Sequence, residues 1–243
     1  LHGHTNDDRT PIDHILSTGT LVAGSQKVQD SNICSDHLWI KATFQFQGST
    51  PPAPTPPAPT PPAPSPPAPV GGEISVMTYN TQWTIQQRGA IAADKRTWDN
   101  LRNFIFEDPE DYSKGLKGGQ DIFFGQEAVD YSGGVRSTFP QDVDYGDYHL
   151  FWEKWGREGQ ATIVKKSLFA RPIGQQTTFL GHLPGGERPF TLIIDENICL
   201  LNLHAGHGYT GAEILQQVQK ITPLEVAREA GSKCSRLILG GDH

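Results

Sequence analysis

Residues 50–69 read TPPAPTPPAPTPPAPSPPAP, four copies of a [T/S]PPAP unit that hold 12 of the chain's 19 prolines. Each proline fixes φ near −65° and removes a backbone donor, so neither a helix nor a sheet ladder runs through the tract. It is a stiff, solvated spacer, and at about 3.1 Å per residue it reaches roughly 60 Å. The 243 residues are thereby cut into a front piece, 1–46, a Pro-rich linker, 47–72, and a back piece, 73–243. Chains near or below about 40 residues rarely enclose a core unaided. The front piece must therefore pack against the back piece or against another chain. If the spacer bridges two parts of one domain, shortening it is expected to strain the closure.

The front piece nevertheless stops as a domain stops. In SNICSDHLWIKATFQF (31–46) an acid–His pair leads into alternating Leu38, Ile40, Ala42, Phe44 and Phe46, the period of a half-buried strand. Beyond the linker EISVMTYN (73–80) alternates in the same way. DIFFGQE (121–127), ATIVK (161–165), FTLII (190–194), ICLLNLH (198–204) and RLILG (236–240) predict further strands. DKRTWDNLRNFIF (94–106) sets Trp98, Leu101 and Ile105 on one helical face, and 211–231 also predicts helix. Strands interleaved with amphipathic helices predict an α/β or α+β sandwich.

Charge and cysteine count narrow the function classes. Lys and Arg number 20 against 27 Asp and Glu, a net charge of −7, so no global basic field gathers polyanions. Cys34, Cys199 and Cys234 are too few for a disulfide framework and lack zinc-ligand spacing, so at most one bridge is expected. No apolar run approaches the roughly 18 residues of a membrane span, and LHGHTNDDRT is unlike a signal segment. A soluble chain is expected, rearranged or processed relative to its translation product, because its only methionine is Met77.

Four polar residues stand where predicted strands end: Asn80, Glu127, His204 and Asp242. Asp13, in PIDHIL, and the pair Asp36 and His37 stand at strand openings. Strand ends at one edge of a sheet converge, so residues far apart in sequence can build one polar pocket. Carboxylate and amide oxygens are hard ligands suited to Mg²⁺, Mn²⁺ or Ca²⁺, and histidine adds a base or a phosphate hydrogen-bond donor. That inventory suits hydrolysis of a phosphate ester.

The series MTYN (77–80), GQE (125–127), NLH (202–204), GD (241–242), IDHIL (12–16) and SDH (35–37) resembles the motifs of the endonuclease/exonuclease/phosphatase superfamily, the DNase I-like divalent-metal phosphoesterases. The resemblance covers nearly all of the chain except the spacer. It implies a four-layer α/β/β/α sandwich, two mixed β-sheets flanked by helices. It further implies Glu127 as principal metal ligand with Asn80 and Asp36 contributing, and His37 against the scissile phosphate with Asp13 as its carboxylate partner. His204 would donate to a phosphate oxygen, and Asp242 would orient or deprotonate the attacking water. The implied cofactor is Mg²⁺, with Mn²⁺ or Ca²⁺ as alternatives.

The order of the series is rotated: the family's last two motifs come first here. Placing 71–243 before 1–46 restores the family order, so the chain reads as a circular permutant whose spacer joins the old termini. A fragment of tandem domains and exchange of 1–46 between chains are the other arrangements with this order. In the family pattern an Asn follows Gly-Asp after one residue, whereas here His243 follows Asp242, so extending the chain there is expected to raise turnover. The resemblance implies a nuclease or phosphodiesterase acting on a phosphodiester such as DNA or RNA, as a monomer. A small-molecule, inositol-type phosphatase and a catalytically weakened surface module are the alternatives. The Thr- and Pro-rich tract is compatible with secretion.

Overall fold

The computed structural model describes residues 2–4, 11–30, 38–46, 72–81, 98–128, 143–155, 158–182, 189–196, 198–205, 212–213, 216 and 236–242. The front piece supplies strands β1 (His2–His4), β2 (Pro11–Ser17), β3 (Thr20–Leu21), β4 (Lys27–Asp30) and β5 (Leu38–Gln45). The back piece supplies β6 (Glu73–Asn80), helix α1 (Trp98–Ile105), β7 (Ile122–Gln126), β8 (Val143–Tyr145), β9 (Tyr148–Trp155), β10 (Glu158–Lys165), β11 (Thr177–His182), β12 (Pro189–Asp195), β13 (Ile198–His204) and β14 (Arg236–Asp242). They form a six-stranded sheet, in the order β1-β2-β14-β13-β12-β11, and an eight-stranded sheet, β3-β5-β6-β7-β10-β9-β8 with β4 also on β5.

Both sheets are therefore built from both pieces. The alternating strands that flank the linker pair antiparallel, Ile40 opposite Thr78 and Gln45 opposite Glu73. The ladder continues one step further, where the Phe46 N–H donates to the Gly72 carbonyl at 3.2 Å. In the other sheet β2 lies antiparallel to β14, Ser17 opposite Ile238 and Asp13 opposite Asp242. The parallel pairs β6/β7 and β13/β14 run side by side through the centres of the two sheets.

Period-2 alternation sorts each strand's side chains between two cores. Ile40, Ala42, Phe44, Ile74, Val76, Ile122 and Phe124 of the larger sheet meet Ile15, Ile193, Leu200 and Ile238 of the smaller one, which makes the layer between the sheets. Met77, Tyr79, Phe123, Leu150, Trp152 and Ile163 fill the opposite face of the larger sheet, against Ile105, Phe106 and Leu116. Gly240 sets the spacing between the sheets: a Cβ there would lie 2.3 Å from Phe124 Cδ2. Gly240→Ala is expected to cost about 1–3 kcal/mol by overpacking, read from the shift of the urea midpoint; an unchanged midpoint would show that the sheets yield at no cost.

The four-layer sandwich flanked by helices is corrected by this architecture. Two mixed sheets are present, but the described residues are about 60% strand and hold one α-helical element, besides two 3-10 turns, Tyr112–Lys114 and Lys166–Leu168, and the helical residues 212–213 and 216. The apolar face read over 94–106 forms α1, 8 residues long. At 1.5 Å per residue such a helix is about 12 Å long, whereas an eight-stranded sheet is on the order of 30 Å wide. Among the described residues, aromatic side chains from loops and an edge strand also close part of that outer face, where Phe106, Tyr112 and Tyr145 meet with ring centroids 4.7–5.3 Å apart. The helix expected over 211–231 falls almost wholly outside the described residues. Cys199, buried in β13, is disulfide-bonded. No helix among the described residues is long and apolar enough to cross a membrane.

Candidate metal centre

The inward faces of three strands grade from apolar to polar toward one pole. They read Ile74, Val76, Thr78, Asn80 on β6; Leu200, Asn202, His204 on β13; and Ile238, Gly240, Asp242 on β14. Asn80 closes β6 beside Gln126, which closes β7. His204 and Asp242 close the adjacent parallel strands β13 and β14 in register, and the Ala205 N–H donates to the Asp242 carbonyl at 2.7 Å.

Glu127 follows β7 with φ at 51°, the only described residue other than glycine with a positive φ. A side chain in this left-handed region costs on the order of 1–2 kcal/mol. The turn is clamped on both sides. Thr81 N–H and Oγ1 both donate to the Gln126 carbonyl at 2.9 Å, the Ala128 N–H donates to Gly159 O at 2.9 Å, and Trp152 Nε1 donates to Ala128 O at 3.3 Å. Trp152 is a core side chain that holds the Glu127 turn.

The clamped turn aims Glu127 at the other three. Asn80 Nδ2 donates to Glu127 Oε1 at 3.3 Å and also to Asp242 Oδ2. His204 Nε2 lies 3.6 Å from Glu127 Oε1 and 3.5 Å from Asp242 Oδ2. Asn80, Glu127, His204 and Asp242 are 1%, 5%, 1% and 2% exposed. Among the described residues two carboxylates thus share a buried site with one imidazole, an anionic donor set of the kind that a cation satisfies. One ligand atom each from Glu127, His204 and Asp242 lies within 4.8 Å of the other two, so these residues could hold a metal ion. Their oxygen-rich donor set, without thiolate, fits a hard divalent ion.

Beneath this cluster a polar layer ties the sheets together. Gln126 Nε2 donates to Asn202 Oδ1 at 2.7 Å, and Asn202 Nδ2 is directed at Gly125 O, Ala161 O and Thr162 Oγ1 at 3.1–3.2 Å. Thr191 Oγ1 donates to Gln160 Oε1 at 2.7 Å, and Gln160 Nε2 to Pro189 O at 3.0 Å. A buried network satisfied in this way fixes one sheet-to-sheet alignment. Gln126 and Asn202 sit inside the quoted motifs yet received no role from the sequence. The signal was available: a polar residue on the core-facing period of a strand must find buried partners.

Of the other expected site residues, Asp13 is placed by its backbone, its Cα paired with that of Asp242. Asp13, Asp242 and His204 thus occupy one row across β2, β14 and β13. Asp36 and His37 lie outside the described residues, immediately before β5. No protein-family model, curated protein or solved structure matches the chain.

Proposed function

We propose that this chain is a divalent-metal-dependent phosphoesterase, a nuclease or phosphodiesterase, whose two pieces form one catalytic domain in circularly permuted order. The observation that carries the reading is the buried convergence of Asn80, Glu127, His204 and Asp242 at one pole, with Glu127 held in a strained backbone conformation. Strain of this kind persists where surrounding structure over-determines it, and it concentrates at functional sites.

Glu127 and Asp242 would hold the ion, Mg²⁺ in this reading, with His204 beside them. When bound, such an ion supplies Lewis acidity to the phosphoryl oxygen and offsets the charge that accumulates there. Asn80 is a positioning residue, because its one amide donates to both carboxylates and so sets their separation. His204 donates a hydrogen bond to a substrate phosphate oxygen, and Asp242 accepts the proton of the attacking water. His37, with Asp13 as its carboxylate partner, would stand against the scissile phosphate, and Asp36 would contribute to holding the metal. The disulfide at Cys199 suits an oxidising compartment, in keeping with the Thr- and Pro-rich tract.

Plasmid DNA, single-stranded RNA and an inositol phosphate, assayed side by side with Mg²⁺ and with EDTA, test the reading. Hydrolysis of a nucleic acid is expected with Mg²⁺ and is expected to vanish in EDTA. Cleavage of the inositol phosphate alone would move the substrate class to small-molecule esters. Metal-independent activity, or none on any substrate, would overturn the proposal.

A further inference from the structure

On the far side of the larger sheet from Asn80 lies a cavity of about 250 Å³, lined by Trp39, Lys41, Met77, Phe104, Lys117 and Gly118. Trp39 and Lys41 are on β5, Met77 is on β6 and Phe104 is on α1, all on the face that carries the outer core rather than the inter-sheet one. The cavity is thus separated from the metal centre by the sheet itself.

Its chemistry is two-sided. Trp39, Met77 and Phe104 give apolar walls, and Phe104 is steadied by Tyr79 at a ring-centroid distance of 5.1 Å. Lys41 and Lys117 bring two ammonium groups. Lys41 Nζ stands 5.7 Å over the Trp39 ring, and a methyl built on Gly118 would come 2.7 Å from it, so this cation is packed at the mouth beside the 117–118 loop. Lys117 Nζ donates to the Asn103 carbonyl at 2.7 Å. Lys27 adds a third positive charge directly across the ladder from Lys41. Among the described residues no carboxylate pairs with any of the three. Like charges directly opposite on a sheet repel, and burial followed by Lys27 holds the Lys41 pKa below its usual value. The cluster is short of an anion.

We propose that this cavity is a second binding site, for a planar aromatic group that carries an anion, of mononucleotide size. The ring packs among Trp39, Met77 and Phe104, and the phosphate or carboxylate rests between Lys41 and Lys117. The volume sets the limit: pockets for drug-sized ligands begin at roughly 300 Å³, so one or two fused rings fit and a stacked oligomer does not. The site stands independently of the metal centre.

AMP is the probe that unites both features, with adenosine and inorganic phosphate as the ring and the anion alone. Calorimetric titration of the full chain in EDTA is expected to give sub-millimolar AMP binding, with amide shifts concentrated at 39–41 and 117–118. Lys41→Gln and Lys117→Gln change partly or fully exposed side chains and should leave the fold intact by circular dichroism. Each is expected to weaken AMP on the order of tenfold. Glu127→Gln should leave AMP affinity unchanged, which separates this site from the metal centre. The proposal is overturned if millimolar AMP does not bind, if the lysine variants bind it as tightly as the parent, or if adenosine or phosphate alone binds as well as AMP.

Discussion

Glu127→Gln is expected to lower metal-dependent kcat on the order of a thousandfold while leaving the metal-free protein at least as stable as the parent. The two effects have one origin. Without an ion, Glu127 and Asp242 bring two carboxylates to the same buried amide of Asn80, with the His204 imidazole beside them. Converting one of them to a neutral amide removes a buried like-charge repulsion and keeps an oxygen for Asn80 to donate to. The same change removes the anionic ligand on which Lewis-acid catalysis, worth several kcal/mol, depends. Two measurements check this together. In the parent, added Mg²⁺ should raise the thermal midpoint, because an ion that binds only the native state stabilises it by mass action. In the variant the midpoint should be insensitive to Mg²⁺. A variant that remains active, or whose midpoint still climbs with Mg²⁺ as the parent's does, would remove Glu127 from the centre of the mechanism.

The residues of that centre were legible because strand endings are legible. Asn80 terminates an alternating run and His204 and Asp242 each terminate a short run rich in apolar residues, and short strands that end in polar residues leave few other places for those side chains. The strained turn at Glu127 left no mark on the sequence, because a glutamate after a strand reads as an ordinary loop residue. Several strands were missed for a different reason. In β9, Tyr148, Leu150 and Trp152 face the outer core and Phe151 the inter-sheet core, so both faces are apolar and the alternation that marks a half-buried strand disappears. Its hairpin partner β8 was detectable from the Gly146–Asp147 turn, where Gly146 takes φ 56° between the paired Tyr145 and Tyr148. The helical layers were overread because a helical face over 94–106 says that a helix forms, and nothing about how much of a sheet it covers.

Deleting residues 1–46 is expected to abolish cooperative folding, whereas excising the proline tract 50–69 is expected to stabilise the protein slightly. The front piece buries Ile15, Ile40, Phe44 and Phe46 in the inter-sheet core. At about 1.5–3 kcal/mol for each such side chain, their loss is on the order of 10 kcal/mol, comparable to the whole stability of an ordinary domain. It also strips β5 from β6 and β2 from β14, which opens an edge in each sheet. The spacer behaves in the opposite sense. The sequence suggested a strut whose shortening strains closure, but Phe46 and Gly72 already meet through a backbone hydrogen bond. Excision leaves Gln47, Gly48, Ser49, Val70 and Gly71 between them, a length common in hairpin loops. Each halving of a flexible loop recovers about 0.6 kcal/mol of closure entropy, so a gain of roughly 1 kcal/mol follows. Because the linker joins the start of β6, the end opposite Asn80, its excision should also leave turnover unchanged. Urea denaturation of the two deletions side by side reads the contrast. A folded back piece would show that the two sheets stand without β2 and β5. A large loss of stability on excising 50–69 would show that the proline tract contributes contacts of its own.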